Sequence, residues 1–331
     1  MNPSTAVRLR NPGSIYFGKI ASRGDFVKST SGGKVIALID NWVAQGMEML
    51  IAAPAWKTYY DNAGAIDFLF IATRKKHAIS GCLIPSGDAS SRRFPFIAAT
   101  LFETDEALTF LPISPLALER HLSHQRALVH HASKTHDAAD TLKKLDDMPF
   151  ESKPVAANVV ETYETFLVNT STGALANALL LEDGYTSVRR LVLALGYLLQ
   201  PILTSYATPP QKGIALPLPR DPSRISLVKA LWLDLISVFL KRAEFELSVF
   251  SCIHYGKSKL IVTFNGTTPS AFHALFEEQA AQDHLIDVAQ SAWVEDYVGQ
   301  DPAIFKLSSY LEHGDLNLRQ LLDTFRQSFS G

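Results

Sequence analysis

The chain has 331 residues, of which 47 % are apolar and 19 % charged, so it can bury a sizeable core and is long enough for about two ordinary domains. Its formal net charge of −2 provides no long-range attraction for nucleic acid or for an anionic membrane, so neither is expected as a partner. The two cysteines, Cys82 and Cys252, lie in different halves of the chain, which argues against a disulfide framework and against a zinc site of the CxxC type.

The predicted elements begin with a strand over residues 15–20. A small polar linker over 29–34 separates it from a helix, because apolar residues recur at helical spacing between positions 35 and 50. A proline two residues before Trp56 suits the start of a second, short helix or turn.

Three short apolar runs follow, at 66–72, 79–84 and 94–101, and each is bounded by turn residues as strands are. The first two are close enough in sequence to form an antiparallel hairpin. Ser114-Pro115 has the composition of a helix start, which predicts a helix from there to about residue 131. The pattern indicates a mixed or antiparallel sheet with helices.

Residues 133–154 are polar and charged, which favours a domain boundary and predicts one domain over 1–145 and another over 146–331. The elements expected in the second domain are helices near 159–167, 187–203 and 226–241, strands at 213–218, 245–254 and 260–265, a helix from Thr268-Pro269 and a C-terminal helix after Gly314-Asp315. We expect an α/β fold with α+β character. In it, a layered N-terminal domain has its sheet between helices, and the C-terminal α+β domain is rich in helix.

The polar start of the chain lacks the charged and apolar regions of a signal peptide. The longest apolar run, Leu191–Leu199, is far shorter than the ~20 residues of a spanning helix. The sequence therefore predicts a cytoplasmic protein that does not insert into a membrane.

No motif in the chain predicts catalysis, a metal or a cofactor. Gly32-Gly33-Lys34 lacks the earlier glycine and the following Ser or Thr of a phosphate-binding loop. His121 and His124 share a helix face, but that helix is rich in polar residues and is expected to be a solvated surface. No GxSxG and no local Cys-His signature is present.

The segment Phe17–Phe26 combines apolar residues with Gly18, an isolated Lys19 and an Arg23-Gly24-Asp25 turn. Such a mixture is typical of a core strand that leads into a shaped surface turn. Glycine permits a positive φ there, and an aspartate can accept backbone N–H groups.

The segment 85–96 links two predicted strands. Pro85 ends the first strand, and Ser86 and Asp88 can close local side-chain turns. Two interpretations of Arg92-Arg93 remain open: they bind an anion or a partner carboxylate, or the loop is solvated and contains an internal Asp88–Arg93 pair.

Three stretches together resemble the TagF family, also called ImpM, of type VI secretion accessory proteins. They are Phe17-Gly18-Lys19-Ile20 with Arg23-Gly24-Asp25-Phe26; Trp42 and Gly46 with Pro54-Ala55-Trp56; and Gly81–Ser86 with Asp88 and Arg92-Arg93-Phe94-Pro95-Phe96. The chain departs from the family pattern at Ala21, where a proline is usual, and at Ser91, where glycine is frequent.

The resemblance implies regulation without catalysis and without a cofactor. Proteins of this family act in the cytoplasm as post-translational repressors of type VI secretion assembly. They work against the forkhead-associated scaffold protein of that system, which is the partner that the resemblance implies. Their N-terminal domain has a layered α/β fold.

We hypothesise that the protein is an adaptor that binds a partner through the turns at 19–26 and 85–95. If strands 15–20 and 79–84 are neighbours, both turns leave the same end of the sheet. The residues expected at the interface are Lys19, Arg23, Asp25, Asp88, Arg92 and Arg93, whose cations would offer a basic edge to an acidic or phosphorylated partner. The residues expected to shape the turns and their surroundings are Phe17, Gly18, Gly24, Phe26, Trp42, Trp56, Pro85, Ser86, Phe94 and Pro95.

A rival hypothesis is an enzyme that binds a small molecule or nucleotide between the two parts of the chain, because clefts between domains are favoured ligand sites. A deep pocket lined by His254, Asp221 and Arg220 would support it.

Overall fold

The computed structural model describes residues 7–150, 155–204 and 209–329. The strands β1–β9 within these ranges are Leu9–Gly18, Val27–Lys28, Ile66–Ala72, His77–Ile84, Phe96–Thr104, Gly213–Pro217, Glu246–His254, Lys257–Thr263 and Leu285–Asp287. The helices α1–α13 are Gly33–Ile51, Trp56–Asn62, Ala107–Lys134, Ala139–Asp146, Ala157–Asn169, Thr172–Ala178, Tyr185–Leu199, Pro201–Thr204, Pro222–Ser237, Pro269–Ala274, Glu278–His284, Pro302–Tyr310 and Leu318–Phe329.

One sheet runs through both halves of the chain, in the order β2-β1-β5-β4-β3-β7-β8-β6-β9. The predicted hairpin of β3 and β4 is confirmed, and every adjacent pair is antiparallel except β6 with β9. The halves join where β3 pairs with β7, from Asp67 opposite Ser251 to Ala72 opposite Glu246. The predicted α/β class with α+β character is therefore confirmed, and the boundary near residue 145 stays a prediction.

Aromatic packing connects the two halves on one face of the sheet. Trp42 of α1 lies 5.2 Å from the Phe70 ring, 5.9 Å from the Phe250 ring and 5.4 Å from the Phe272 ring of α10. The indole Nε1–H of Trp42 donates to the Thr268 carbonyl at 3.0 Å. Because its ring contacts residues from both halves, Trp42 fixes α1 and α10 on the sheet together.

The opposite face of the sheet is covered mainly by α3, α4 and α9. The helix predicted near 187–203 is confirmed as α7, where Val188 and Leu191–Leu195 are buried. It ends at Leu199, and Pro201 begins the short α8, as expected for a residue that cannot continue a helix. The sheet thus has a helical layer on each side.

The predicted start of α3 at Ser114-Pro115 is wrong, because the helix begins at Ala107 and contains both Pro112 and Pro115. A proline inside a helix leaves the carbonyl four residues earlier without its N–H donor. In α3 the Ser114 hydroxyl donates to the Leu111 carbonyl at 2.8 Å and so satisfies the group that Pro115 leaves open. The Ser-Pro pair therefore lies inside the helix.

None of the helices in the described ranges combines the length and the apolar character needed to cross a membrane.

Candidate functional site

Two loops meet at one end of the sheet, where the strands finish: loop A, residues 19–26, and loop B, residues 85–95. The premise that strands 15–20 and 79–84 are neighbours is wrong, because β5 lies between β1 and β4. Both strands are antiparallel to β5 and hence parallel to each other, and both Gly18 and Ile84 lie opposite Phe96. The two loops therefore leave the same end of the sheet, as predicted.

A buried ion pair joins the loops. The Lys19 ammonium, on a residue that is only 7 % exposed, lies 2.9 Å from Oδ2 of Asp88. The same oxygen accepts from Nε of Arg92 at 2.7 Å, while Oδ1 accepts from the backbone amides of Ser90 and Arg92 at 2.9 and 3.0 Å. Burial raises the pKa of Asp88, but these hydrogen bonds outweigh burial and hold the pKa well below its usual range. Asp88 is therefore ionised, organises loop B and links it to loop A.

Loop B also donates hydrogen bonds to the backbone of loop A. The amide of Ala89 donates to the Arg23 carbonyl at 2.8 Å, and Nη2 of Arg92 donates to the Gly24 carbonyl at 2.6 Å. These bonds come in addition to the ion pair, so the two loops form one connected unit, which we call the loop pair.

The backbone of the loop pair shows why proline and glycine are favoured at the two positions where this chain departs from the family pattern. The amide of Arg23 donates to the Ile20 carbonyl at 3.1 Å, which makes Ala21 the second residue of a four-residue turn, where proline is favoured. Ser91 has φ 61°, a left-handed conformation that glycine adopts most easily. At both positions the chain has a residue that the observed backbone favours less than proline or glycine.

Gly18 at the end of β1 has φ 132°, a conformation that only glycine readily adopts. A Cβ at this position would lie 2.0 Å from the Pro95 carbonyl oxygen. The close approach between the start of loop A and the end of loop B thus depends on the missing side chain.

An aromatic cluster lies beneath the loop pair. The Phe26 ring is stacked on Phe17 at 5.3 Å and meets Phe94 edge-on at 4.9 Å, and the Lys19 ammonium lies 5.0 Å from its centre. Phe26 is nevertheless 42 % exposed. It is a ring held by its aromatic neighbours with one side open to solvent.

Arg93 is held from outside the loop pair. Its guanidinium donates to both carboxylate oxygens of Asp61 in α2, at 2.7 and 2.6 Å, and lies 5.8 Å from the Trp56 ring. The hydrogen bond from Arg93 lowers the pKa of Asp61. The internal Asp88–Arg93 pair is therefore wrong: Asp88 pairs with Lys19 and Arg92, while Arg93 pairs with Asp61. The sequence carried no signal for the Asp61 contact, because the two residues lie in separate elements.

The structure also changes the predicted basic edge. Lys19 does not face outward, because its charge is buried against Asp88. Arg23, Asp25, Phe26 and Arg92 are exposed instead, and Arg23 has no ion pair with any described residue. The outward face therefore offers two arginines, one carboxylate and one aromatic ring.

The predicted solvated histidine face of α3 is wrong for His121. His121 is half-buried, with Nε2 2.8 Å from the Thr100 hydroxyl, and burial lowers its pKa to about 4. His124 is exposed. Among the residues with described positions, no group of three or more His, Cys, Asp or Glu could hold a metal ion.

The three residues of the rival site do not share a pocket. His254 lines a pocket of about 530 Å³ that also contains the Lys259–Asp287 ion pair, with 2.8 Å between Nζ and Oδ1. Asp221 caps the start of α9 by accepting from the Ser223 amide at 3.0 Å, and Arg220 is exposed in the preceding loop. Neither Asp221 nor Arg220 is among the described residues that line the His254 pocket.

Residues 15–148, which contain both loops and their supporting strands, match the family model described as the TagF N-terminal domain, type VI secretion system-associated. This part of the chain is similar to the TagF N-terminal domain. It contains every residue of the predicted interface, and the match associates the protein with type VI secretion.

Comparison with curated proteins finds no match. Among solved structures, the crystal structure of PA0076 from Pseudomonas aeruginosa PAO1 is similar at 21 % identity and a TM-score of 0.35. The similarity covers 43 % of this chain and 64 % of that one.

Proposed function

We propose that the protein is a non-catalytic regulator of type VI secretion that represses assembly by binding the forkhead-associated scaffold protein of the system in the cytoplasm. The TagF domain supports the pathway. The observation that supports binding through the loop pair is its internal connection, since Lys19, Asp88 and Arg92 fix the loops before any partner arrives. Loops fixed in advance lose little conformational entropy on binding.

The exposed side chains of the loop pair favour an acidic or phosphorylated partner surface. The Arg92 side chain is 61 % exposed although it is held by Asp88 and the Gly24 carbonyl, so its orientation is set while part of it stays accessible. Arg23 is also joined to loop B, because its carbonyl accepts a hydrogen bond from the Ala89 amide. The next residue, Gly24, accepts from Arg92. Phe26 adds apolar area, and arginines and aromatic residues are enriched among residues that dominate binding energy.

The direct test is a pull-down and a quantitative titration with the forkhead-associated scaffold protein. Arg23→Glu reverses a charge that makes no ion pair with a described residue, so it should leave the melting temperature unchanged while weakening binding by about 10-fold or more. Phe26→Ala should also weaken binding, and a melting curve corrects for any loss of packing against Phe17 and Phe94.

Control variants lie on two helices outside the loop pair. Arg224 is an exposed arginine of α9, and Phe305 of α12 is 58 % exposed. Arg224→Glu and Phe305→Ala should leave binding unchanged. Equal binding by the Arg23 variant and the wild type would remove the loop pair from consideration, while failure of the wild type to bind would remove the partner.

The repressor role needs a separate measurement in a bacterium with an active type VI secretion system. Overproduction of the wild-type protein should reduce the amount of secreted tube protein in the medium, and the Arg23→Glu variant should reduce it less. Unchanged secretion on overproduction of the wild type would refute repression.

A further inference from the structure

A second concave site lies away from the loop pair, between α3 and the segment 148–150 that follows α4. Its volume is about 440 Å³, within the ~300–1,000 Å³ typical of small-molecule sites. Its apolar lining comes from Leu9, Ala117, Met148, Pro149 and Phe150. The site can therefore bury an apolar group of moderate size.

The wall of this pocket is held in place by the half-buried His121. Its Nε2 lies 2.8 Å from the Thr100 hydroxyl, and its ring also donates a hydrogen bond to the Pro149 carbonyl. The Phe150 ring meets the His121 ring edge-on at 4.9 Å and is stacked on Phe102 at 5.3 Å. Contacts within the chain therefore fix the wall of the pocket, which favours binding.

Among the described residues that line the pocket, the charged side chain is the cation of Arg120. Arg120 contributes a permanent positive charge, and His124 lies at the exposed rim. No carboxylate is found among the described residues that line this pocket. Arg120 has no ion-pair or hydrogen-bond partner among the residues that the structure describes. His121 is neutral at physiological pH because burial lowers its pKa to about 4.

We propose that this pocket binds a carboxylate that carries an apolar, preferably aromatic, body. The guanidinium of Arg120 would receive the carboxylate in a two-pronged hydrogen bond, as arginine does with planar anions. The body of the ligand would lie against Met148 and Phe150. This inference is independent of the proposed function of the loop pair.

A neighbouring groove extends the pocket and bears on the source of the carboxylate. It shares His124 and Pro149 with the pocket, has a volume of about 520 Å³, and is lined by charges of both signs, from Asp140, Lys143, Lys144 and Asp147. A free acid would use the pocket alone. A polypeptide that ends in an aromatic residue would place its terminal carboxylate at Arg120 and its preceding residues in the groove.

The test is a titration of the full chain, followed by ligand-observed NMR, with 3-phenylpropionate and with a pentapeptide of four glycines and a C-terminal phenylalanine. A ligand of about eleven non-hydrogen atoms should bind with roughly millimolar affinity. The neutral isostere 3-phenylpropionamide and the Arg120→Ala variant should each weaken binding by about 10- to 100-fold. Arg224→Ala, on another exposed helix surface, is the matched control and should bind like the wild type.

Binding of the free acid and the peptide with equal affinity identifies a small metabolite as the ligand class, and at least tenfold tighter peptide binding identifies a polypeptide terminus. Either result supports the proposal. Absence of binding by both probes, or binding that Arg120→Ala leaves unchanged, would overturn it. Arg120→Ala should keep the wild-type affinity for the forkhead-associated protein, so failure here is distinguishable from failure of the loop-pair proposal.

Discussion

Replacement of Gly18 by alanine should destabilise the protein strongly, because two independent penalties coincide there. Its φ of 132° is a conformation that costs a residue with a side chain about 1–3 kcal/mol. The added Cβ would also lie 2.0 Å from the Pro95 oxygen and 2.8 Å from Cα of Phe96, so backbone on the neighbouring strand must shift. Overpacking of this kind costs about 1–3 kcal/mol. The free energy of unfolding should therefore fall by about 2–6 kcal/mol, a large share of the ~5–15 kcal/mol of an ordinary protein.

Urea unfolding of Gly18→Ala measures this loss, and Gly64→Ala supplies the control. Gly64 is exposed in the loop between α2 and β3, and a Cβ there would meet no atom within 4 Å. Its replacement should change the free energy of unfolding by less than about 1 kcal/mol. If the two variants unfold at the same urea concentration, the argument that the missing side chain of Gly18 holds the loops together is refuted.

Three further predictions concern the interior. Folding lowers the pKa of His121 from an ordinary 6.5 to about 4, so its contribution to stability is complete above pH 6.5 and is lost as the pH falls toward 4. The difference in free energy of unfolding between wild type and His121→Phe, measured by urea unfolding, should therefore shrink by up to roughly 3 kcal/mol over that range. A constant difference would contradict the assignment. Ser114→Ala should cost about 1–3 kcal/mol by leaving the Leu111 carbonyl unsatisfied, where Ser114→Thr should restore most of it. Cys82 and Cys252 are buried, and burial raises the pKa of both thiols. A thiol reagent should therefore label neither cysteine in the native protein and both in guanidinium. Rapid labelling of the native protein would show that the sheet opens.

The strands and most helices of the fold could be predicted because their periodicity is local. The hairpin at β3–β4 and the buried helix α7 follow from short apolar runs and from a helix that is apolar on nearly all sides. The start of α3 could not be predicted, because the compensation for Pro115 is a side-chain hydrogen bond that only the folded helix displays.

The positions of the two loops of the candidate site could be predicted, but the ion pairs within and around them could not. The turn residues carried a clear pattern of glycine, proline and short polar side chains, so the loops could be located. Which carboxylate each cation meets depends on strand order, since β5 separates β1 from β4 and α2 brings Asp61 to Arg93. Strand order is a long-range property that single-sequence patterns do not contain, and the burial of Lys19 follows from it.

The pairing of β3 with β7 has a consequence for any shortened version of this protein. A fragment that stops where the TagF match ends, at residue 148, would lack β7 and leave the whole length of β3 as an open edge, with unpaired amides and carbonyls from Asp67 to Ala72. The same cut would remove Phe250 and Phe272 from around Trp42 and expose a large aromatic surface. Open hydrophobic edges recruit further strands, so such a fragment should self-associate more strongly than the full chain.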